Sequence, residues 1–366
     1  MLLLARSNLF RDRTRFLLSV LGVAVSIGLI LLLAGYRSGV YRQSSAYLDN
    51  TPGSVVVAER GIRDFLGTSS MLPPNALEAV MSTPGVARAI PVVAQFVIFE
   101  RHDRRDGFFL IGYDPAAGGG PWKLVDGREP VADYELVIDR TTARQHDIAI
   151  GDQVTLLDRD ATVVGLSEET TFWAGSIAFA RITTLESLAR APGLRSFLLV
   201  TPEAGASPEA LRDRLAVPGT DVLLKSDLIA NDRKLMARVY DAPIGLMVAI
   251  AFVVGVLVVG LVIYTATMER RREYGAIKAI GARNRTLYGV VTTQAFIAAA
   301  AGALGGVGLG YAAGAALTVV RPQFRVDMEP ATVGLVLLAS LVMAVAAALI
   351  PVRALARLEP AEVFRG

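Results

Sequence analysis

Four stretches of this chain, at 16–34, 244–267, 287–320 and 331–352, are apolar almost throughout, and each is long enough to cross a bilayer. A helix advances about 1.5 Å per residue against a hydrocarbon core roughly 30 Å thick, so about 20 predominantly apolar residues suffice. A helix apolar on every face needs lipid or a large core around it, so the bilayer becomes the solvent for both ends of the sequence. The third stretch exceeds what a span needs and is expected to tilt or protrude. Of the 366 residues, 53% are hydrophobic and only 19% charged, below the roughly 25% charged of soluble domains. Residues 40–240, between the first and second stretches, read instead as an ordinary water-facing domain.

The first stretch reads as an uncleaved anchor. Its apolar run is longer than that of a signal peptide, and Gly35-Tyr36-Arg37 is a poor cleavage site. Basic residues next to the spans set orientation. Arg6, Arg11, Arg13 and Arg15 precede the first span; Arg270, Arg271, Arg272, Lys278, Arg283 and Arg285 lie between the second and third; Arg353, Arg357 and Arg365 follow the fourth. The connection between the third and fourth balances Arg321 and Arg325 against Asp327 and Glu329. This pattern predicts an inner-membrane, multi-pass protein with both termini and the 269–286 loop cytoplasmic and residues 36–240 outside. Residues 1–15, half apolar and half basic, read as an amphipathic cytoplasmic helix, with a disordered tail as the alternative.

The expected fold is therefore an α-helical membrane protein with four transmembrane helices and a large α+β extracytoplasmic domain inserted between helices 1 and 2. In order, the segments are an interfacial helix (1–15), the first span with a stalk (16–48), the outer domain (49–225), and a second stalk and span (226–268). A cytoplasmic loop (269–286), the third span (287–320), the fourth (331–352) and a cytoplasmic tail (353–366) follow. Within the outer domain, strands are expected at 54–58, 92–99, 107–112, 136–138, 153–157, 197–200 and 222–224, and helices at 75–82 and 208–215. Short strands with interspersed helices predict an α+β domain in two subdomains.

Chemistry is sparse. Cysteine is absent, which excludes disulfides and thiolate chemistry. The two histidines, His102 and His146, stand without HxxxH or HExxH spacing and read as solvated surface residues, so no metal site is expected. No GxSxG elbow occurs, and Asp103 and Asp106 read as a charged hairpin tip. The net charge of +3 and scattered arginines exclude a nucleic-acid groove. No GxxxxGK phosphate loop ending in Ser or Thr is present, so no cofactor is expected in this chain, and any ATP would be bound by another. Gly302, Gly306, Gly310 and Gly314 recur every four residues and share one helical face for close packing. That face fits packing within the chain and a homodimer seam equally well.

The loop after the second span reads from Met268 through Glu269, Glu273, Tyr274, Gly275, Lys278 and Gly281 to Arg285, with an apolar stripe of Ala276, Ile277, Ala279 and Ile280. An apolar stripe on a charged cytoplasmic helix predicts a docking element. Glu269 and Glu273 through Ala282 match the pattern E…EYGxxKAxGA, and here the sequence resembles the FtsX/MacB-type (type VII) ABC permeases. The resemblance extends to the order of one span, outer domain and three spans, to a Gly151-Asp152 turn, and to the ending Arg357 to Phe364. That PAEVF ending is most similar to the DevC exporters.

The resemblance implies a permease homodimer bound to a separate ABC ATPase that carries ATP and Mg. The 269–286 loop would act as the coupling helix through Glu273, Tyr274, Gly275, Lys278 and Gly281. It implies no catalytic residue here and work done outside the membrane, exporting a lipid, peptide or drug-like substrate, with a periplasmic adaptor and membrane lipids as further partners. Alternatives are a non-transporting mechanotransmission complex that regulates extracytoplasmic enzymes, and lipoprotein extraction. A secondary carrier is disfavoured by the near absence of ionisable residues within the spans.

Overall fold

The computed structural model describes residues 13–102, 104–172, 175–269, 271–279, 284–321 and 323–356. It divides into two compact units. One holds the apolar helices; the other holds Val40–Val239 with a short stretch at 322–324.

In the helical unit, four helices are long and apolar enough to cross a membrane. Helix α1 runs Arg13–Asn50 without a break. It ends where Pro52, which cannot continue a helix, and Gly53 at a φ of +89° turn the chain. This unit takes α1 as far as Gly39 and, of the later helices, α6 (Lys225–Glu269) from Tyr240 on, with α7 (Arg271–Ala279), α8 (Asn284–Val320) and α9 (Pro330–Ala356). Val23, Ile27 and Leu31 of α1 share a buried cluster with Val259 and Ile263 of α6, Val291 and Ala295 of α8, and Met343 and Ala347 of α9. The opposite faces keep large apolar side chains exposed, such as Leu246, Ile250, Leu257 and Leu261 on α6 and Leu338, Val342, Val345 and Leu349 on α9. That arrangement suits lipid as the surrounding solvent.

The other unit is built on an eleven-stranded sheet. In chain order its elements are β1 (Val55–Glu59), α2 (Ala76–Met81), β2 (Val86–Arg101), β3 (Arg104–Tyr113), β4 (Leu124–Gly127), β5 (Glu135–Asp139) and α3 (Arg140–Gln145). Then come β6 (Gln153–Leu156), β7 (Arg159–Ser167), β8 (Thr171–Phe172), β9 (Gly175–Arg181), α4 (Ile182–Ala189), β10 (Phe197–Pro202), α5 (Pro208–Arg214) and β11 (Thr220–Leu224). The strand order is β11-β1-β10-β2-β3-β9-β5-β7-β4, with β6 beside β2 and β7 and β8 beside β9. Two pairs, β3 with β9 and β5 with β7, are parallel.

Strand β2 joins the halves of the sheet. Its first half pairs with β10, Val92 opposite Phe197, and its second with β3, Val93 opposite Gly112. Side chains alternate across a strand, so β1 sends Val55 and Val57 under α2 and α5, while Val56 and Ala58 enter an aromatic core on the other face. That core contains Tyr47, Phe65, Phe109, Phe179 and Phe197. A third cluster lies under α3 and α4, around Phe99, Phe108, Leu136, Ile138 and Leu185. Both short helices that begin with a cap fit their sequence: Asp139 accepts from Thr141 N–H at 2.7 Å, and Ser207, before Pro208, accepts from Ala210 N–H at 3.1 Å.

Candidate functional site: the short helix after the second span and the glycine seam

Helix α7 is nine residues long and belongs to the helical unit. Tyr274 is 6% exposed and joins the buried cluster with Ile263 at the end of α6 and Leu287 and Val291 of α8. Gly275, next to it, is also buried. Arg271, Arg272 and Glu273 are exposed, and Lys278 is half-buried. The helix is thus rooted by an aromatic ring and a glycine on one side and presents a run of charge on the other. Gly281 and Ile280 lie outside the described residues, as do 1–12 of the expected interfacial helix and 357–366 of the tail.

Gly302, Gly306, Gly310 and Gly314 of α8 all meet close neighbours in the same chain. A methyl group at Gly302 would lie 2.4 Å from Val23 Cβ, at Gly306 2.7 Å from Ile27 Cβ, and at Gly310 2.9 Å from a Leu31 methyl. At Gly314 it would lie 3.1 Å from the Met328 methyl, in the connection between α8 and α9. Helix α1 and helix α8 therefore pack closely from Gly302 to Gly310, over about two turns.

A complementary set in α1 escaped the sequence reading. Gly28 faces Leu309 and the Gly306 carbonyl, Gly35 faces Val326 and Met328, and a Cβ at Gly39 would lie within 2 Å of the Arg325 carbonyl oxygen. Gly35 O also accepts from Asp327 N–H at 2.9 Å. The signal was available: 28, 35 and 39 differ by seven and four, which places them on one helical face. Near the same level Arg37 holds Asp241 of α6 through two bonds of 2.6 and 3.0 Å, and Tyr36 meets Tyr240 edge-on at 6.3 Å. The ion pair is half-exposed, so its contribution is about 1 kcal/mol or less.

In the sheet unit, Asp152 of the Gly-Asp turn accepts from Ala149 N–H at 2.9 Å and from Arg101 at 2.6 Å, which pulls its carboxyl below the usual range. Gly151 beside it has a φ of +97°, a conformation that favours glycine. His102 is exposed as expected, but His146 is not the solvated residue the sequence predicted. Its side chain is 11% exposed, its Nε2 lies 2.8 Å from Asp106 Oδ2, and its ring packs edge-on to Phe99. The short helix α3 carries it back against the β2–β3 hairpin, a pairing that sequence spacing does not reveal. Asp103 lies outside the described residues, and no group of three metal-ligating side chains occurs among those described.

Comparison with known proteins converges on this architecture. The MacB-like periplasmic core domain matches residues 16–216, and the FtsX-like permease C-terminal domain matches 245–360. An uncharacterised ABC transporter permease of Mycobacterium tuberculosis is 25% identical over the full length of both chains. The macrolide export ATP-binding/permease protein MacB of Agrobacterium fabrum is 22% identical over 99% of this chain and 60% of its own. A putative hemin transport system permease protein HrtB of Staphylococcus haemolyticus is 22% identical over 80% of each chain. With both domain families matched in series on a four-span scaffold, the chain belongs to the FtsX/MacB-type ABC transporter permeases.

Proposed function

We propose that this chain is the permease subunit of an exporter in which a separate ATPase hydrolyses ATP and α7 carries the resulting movement into the spans. The observation that carries the reading is α7 itself: Tyr274 buried among Ile263, Leu287 and Val291, with Arg271, Arg272 and Glu273 exposed beside it. A helix fixed to the bundle by its apolar side can be pushed as a rigid body through its charged side. In this reading Tyr274 and Gly275 seat the helix, while Glu273 and its neighbours, with Gly281, meet the ATPase.

The sequence in hand contains no phosphate loop, and the mycobacterial relative spanned end to end is named a permease. Both support a nucleotide site on another polypeptide. The basic residues of α7 support a cytoplasmic position for it. Two relatives are named for macrolide export and hemin transport. These names support a lipid, peptide or drug-like substrate handled at the inserted domain.

The test is purification of the tagged chain from its native host in mild detergent, followed by mass spectrometry and an ATPase assay. A nucleotide-binding subunit should co-purify with the wild type and be lost, or fall at least about tenfold, with Glu273→Arg, a loss of about 1.4 kcal/mol in binding. A chain that purifies without any ATPase, or a Glu273→Arg variant that retains it together with full ATP-dependent export, would overturn the assignment.

A further inference from the structure

Between β1 and α2 the chain runs from Arg60 to Pro74 without regular secondary structure. The middle of this strap is tied to the polar first half of α6, well before the apolar run that begins at Ile244. Asp232 Oδ1 accepts from Phe65 N–H at 2.9 Å and from Leu66 N–H at 3.2 Å, and Asn231 Nδ2 donates to the Arg63 carbonyl at 2.9 Å. Phe65, 1% exposed, stacks on Tyr47 at 5.1 Å and lies 4.8 Å from the Phe197 ring. The strap thus closes the aromatic core of the sheet unit, and Asp232 fastens it.

Asp232 is fully buried, and its second oxygen, Oδ2, has no hydrogen-bond partner among the described residues. One oxygen of the carboxyl is therefore saturated, and the other is buried without a partner among the described residues. The charged groups around it do not neutralise it. Asp64, on the strap, adds a second negative charge, and its Oδ1 accepts from Gly67 N–H at 3.0 Å. Arg233, the next residue on α6, donates to Ser45 Oγ of α1 at 3.4 Å. Tyr47 of α1 faces the core as a neutral phenol. Burial pushes the Asp232 carboxyl up to about 7, with the two backbone N–H bonds opposing and Asp64 assisting.

We propose that Asp232 is a proton-controlled latch: as a carboxylic acid it holds the strap and Phe65 closed, and as a carboxylate it releases them. Ionisation leaves a bare charge at Oδ2, and lifting the strap, which lies outside helix and sheet, lets water reach that atom. The sign follows from proton linkage. A carboxyl raised from about 4 in the unfolded chain to about 7 in the fold stabilises the closed state fully below the lower value. That stabilisation is lost as pH rises through the upper one.

Arg60 and Arg63 are exposed on the strap, and Arg190 is exposed at the end of α4 as an internal reference. Limited trypsin cleavage of the full chain in detergent, followed by mass spectrometry, reads strap opening as the rate at Arg60 and Arg63 relative to Arg190. Between about pH 6 and pH 8 this ratio should rise about tenfold in the wild type, the ionised fraction of a group titrating near 7 rising by that factor. It should stay level in Asp232→Asn. In Asp64→Asn, which keeps the latch but removes the second negative charge, the rise should move to lower pH. A wild-type ratio independent of pH, or the same rise in Asp232→Asn, would overturn the proposal. So would an unshifted profile in Asp64→Asn.

Discussion

A methyl group at Gly306 would overlap Ile27 and the Ala24 carbonyl, whereas at Gly308, two residues along, it would meet nothing within 4 Å. Gly306→Ala should therefore destabilise the helical unit by about 1–3 kcal/mol, the usual cost of overpacking. Gly308→Ala should be neutral or stabilising by up to about 1 kcal/mol, since alanine is the better helix former. Thermal unfolding of both variants in one detergent decides the matter, and equal melting temperatures would contradict the seam. Asp139, 1% exposed, is the corresponding residue of the sheet unit. Its carboxylate caps α3 and also accepts from Thr170 N–H at 3.2 Å and Thr170 Oγ at 2.6 Å. Asp139→Ala strands these donors in the core and should cost at least about 2 kcal/mol, measured by denaturant unfolding.

At the scale of elements, α7 makes a prediction that separates seating from contact. Tyr274→Phe keeps the ring that fills the cluster around Ile263 and Leu287, while Tyr274→Ala empties it. Truncation of a buried aromatic costs about 3–5 kcal/mol. The alanine variant should therefore lose stability and ATPase-coupled activity together, and the phenylalanine variant should keep both. Loss of activity in Tyr274→Phe with unchanged melting would instead make the phenol a direct contact. The sequence made some elements plain and hid others. The spans, β1 and the β2–β3 hairpin were legible because apolar length and period-two alternation are local. Strands β4, β7, β8 and β9 were not. Segment 159–167 mixes Arg159 and Asp160 with Gly165, and it becomes a strand through antiparallel pairing of its start with β6 and parallel pairing of 162–167 with β5. The start of β2 was missed because Pro91 reads as a break, yet it pairs opposite Leu198 inside a continuous strand. In α7 the charge pattern was legible, but the burial of Tyr274 depends on Ile263 and Leu287, which come from two other helices.

For the whole molecule, the charge asymmetry of the loops yields a topology that can be tested with little engineering, because the chain contains no cysteine. Single cysteines placed at two exposed positions, Asp213→Cys in α5 and Arg272→Cys in α7, report the two sides separately. A membrane-impermeant maleimide applied to intact cells (spheroplasts where an outer membrane intervenes) should label position 213 at once and position 272 only after the membrane is opened. Labelling of position 272 in intact cells would reverse the orientation. The sheet itself bears on how such a molecule responds to force. Its two halves share β2 from Val86 to Arg101, with β10 hydrogen-bonded along one end of that strand and β3 along the other. In a domain spliced in this way, pivoting one half about the other would have to break hydrogen bonds along β2, so the shared strand stiffens the sheet against that motion.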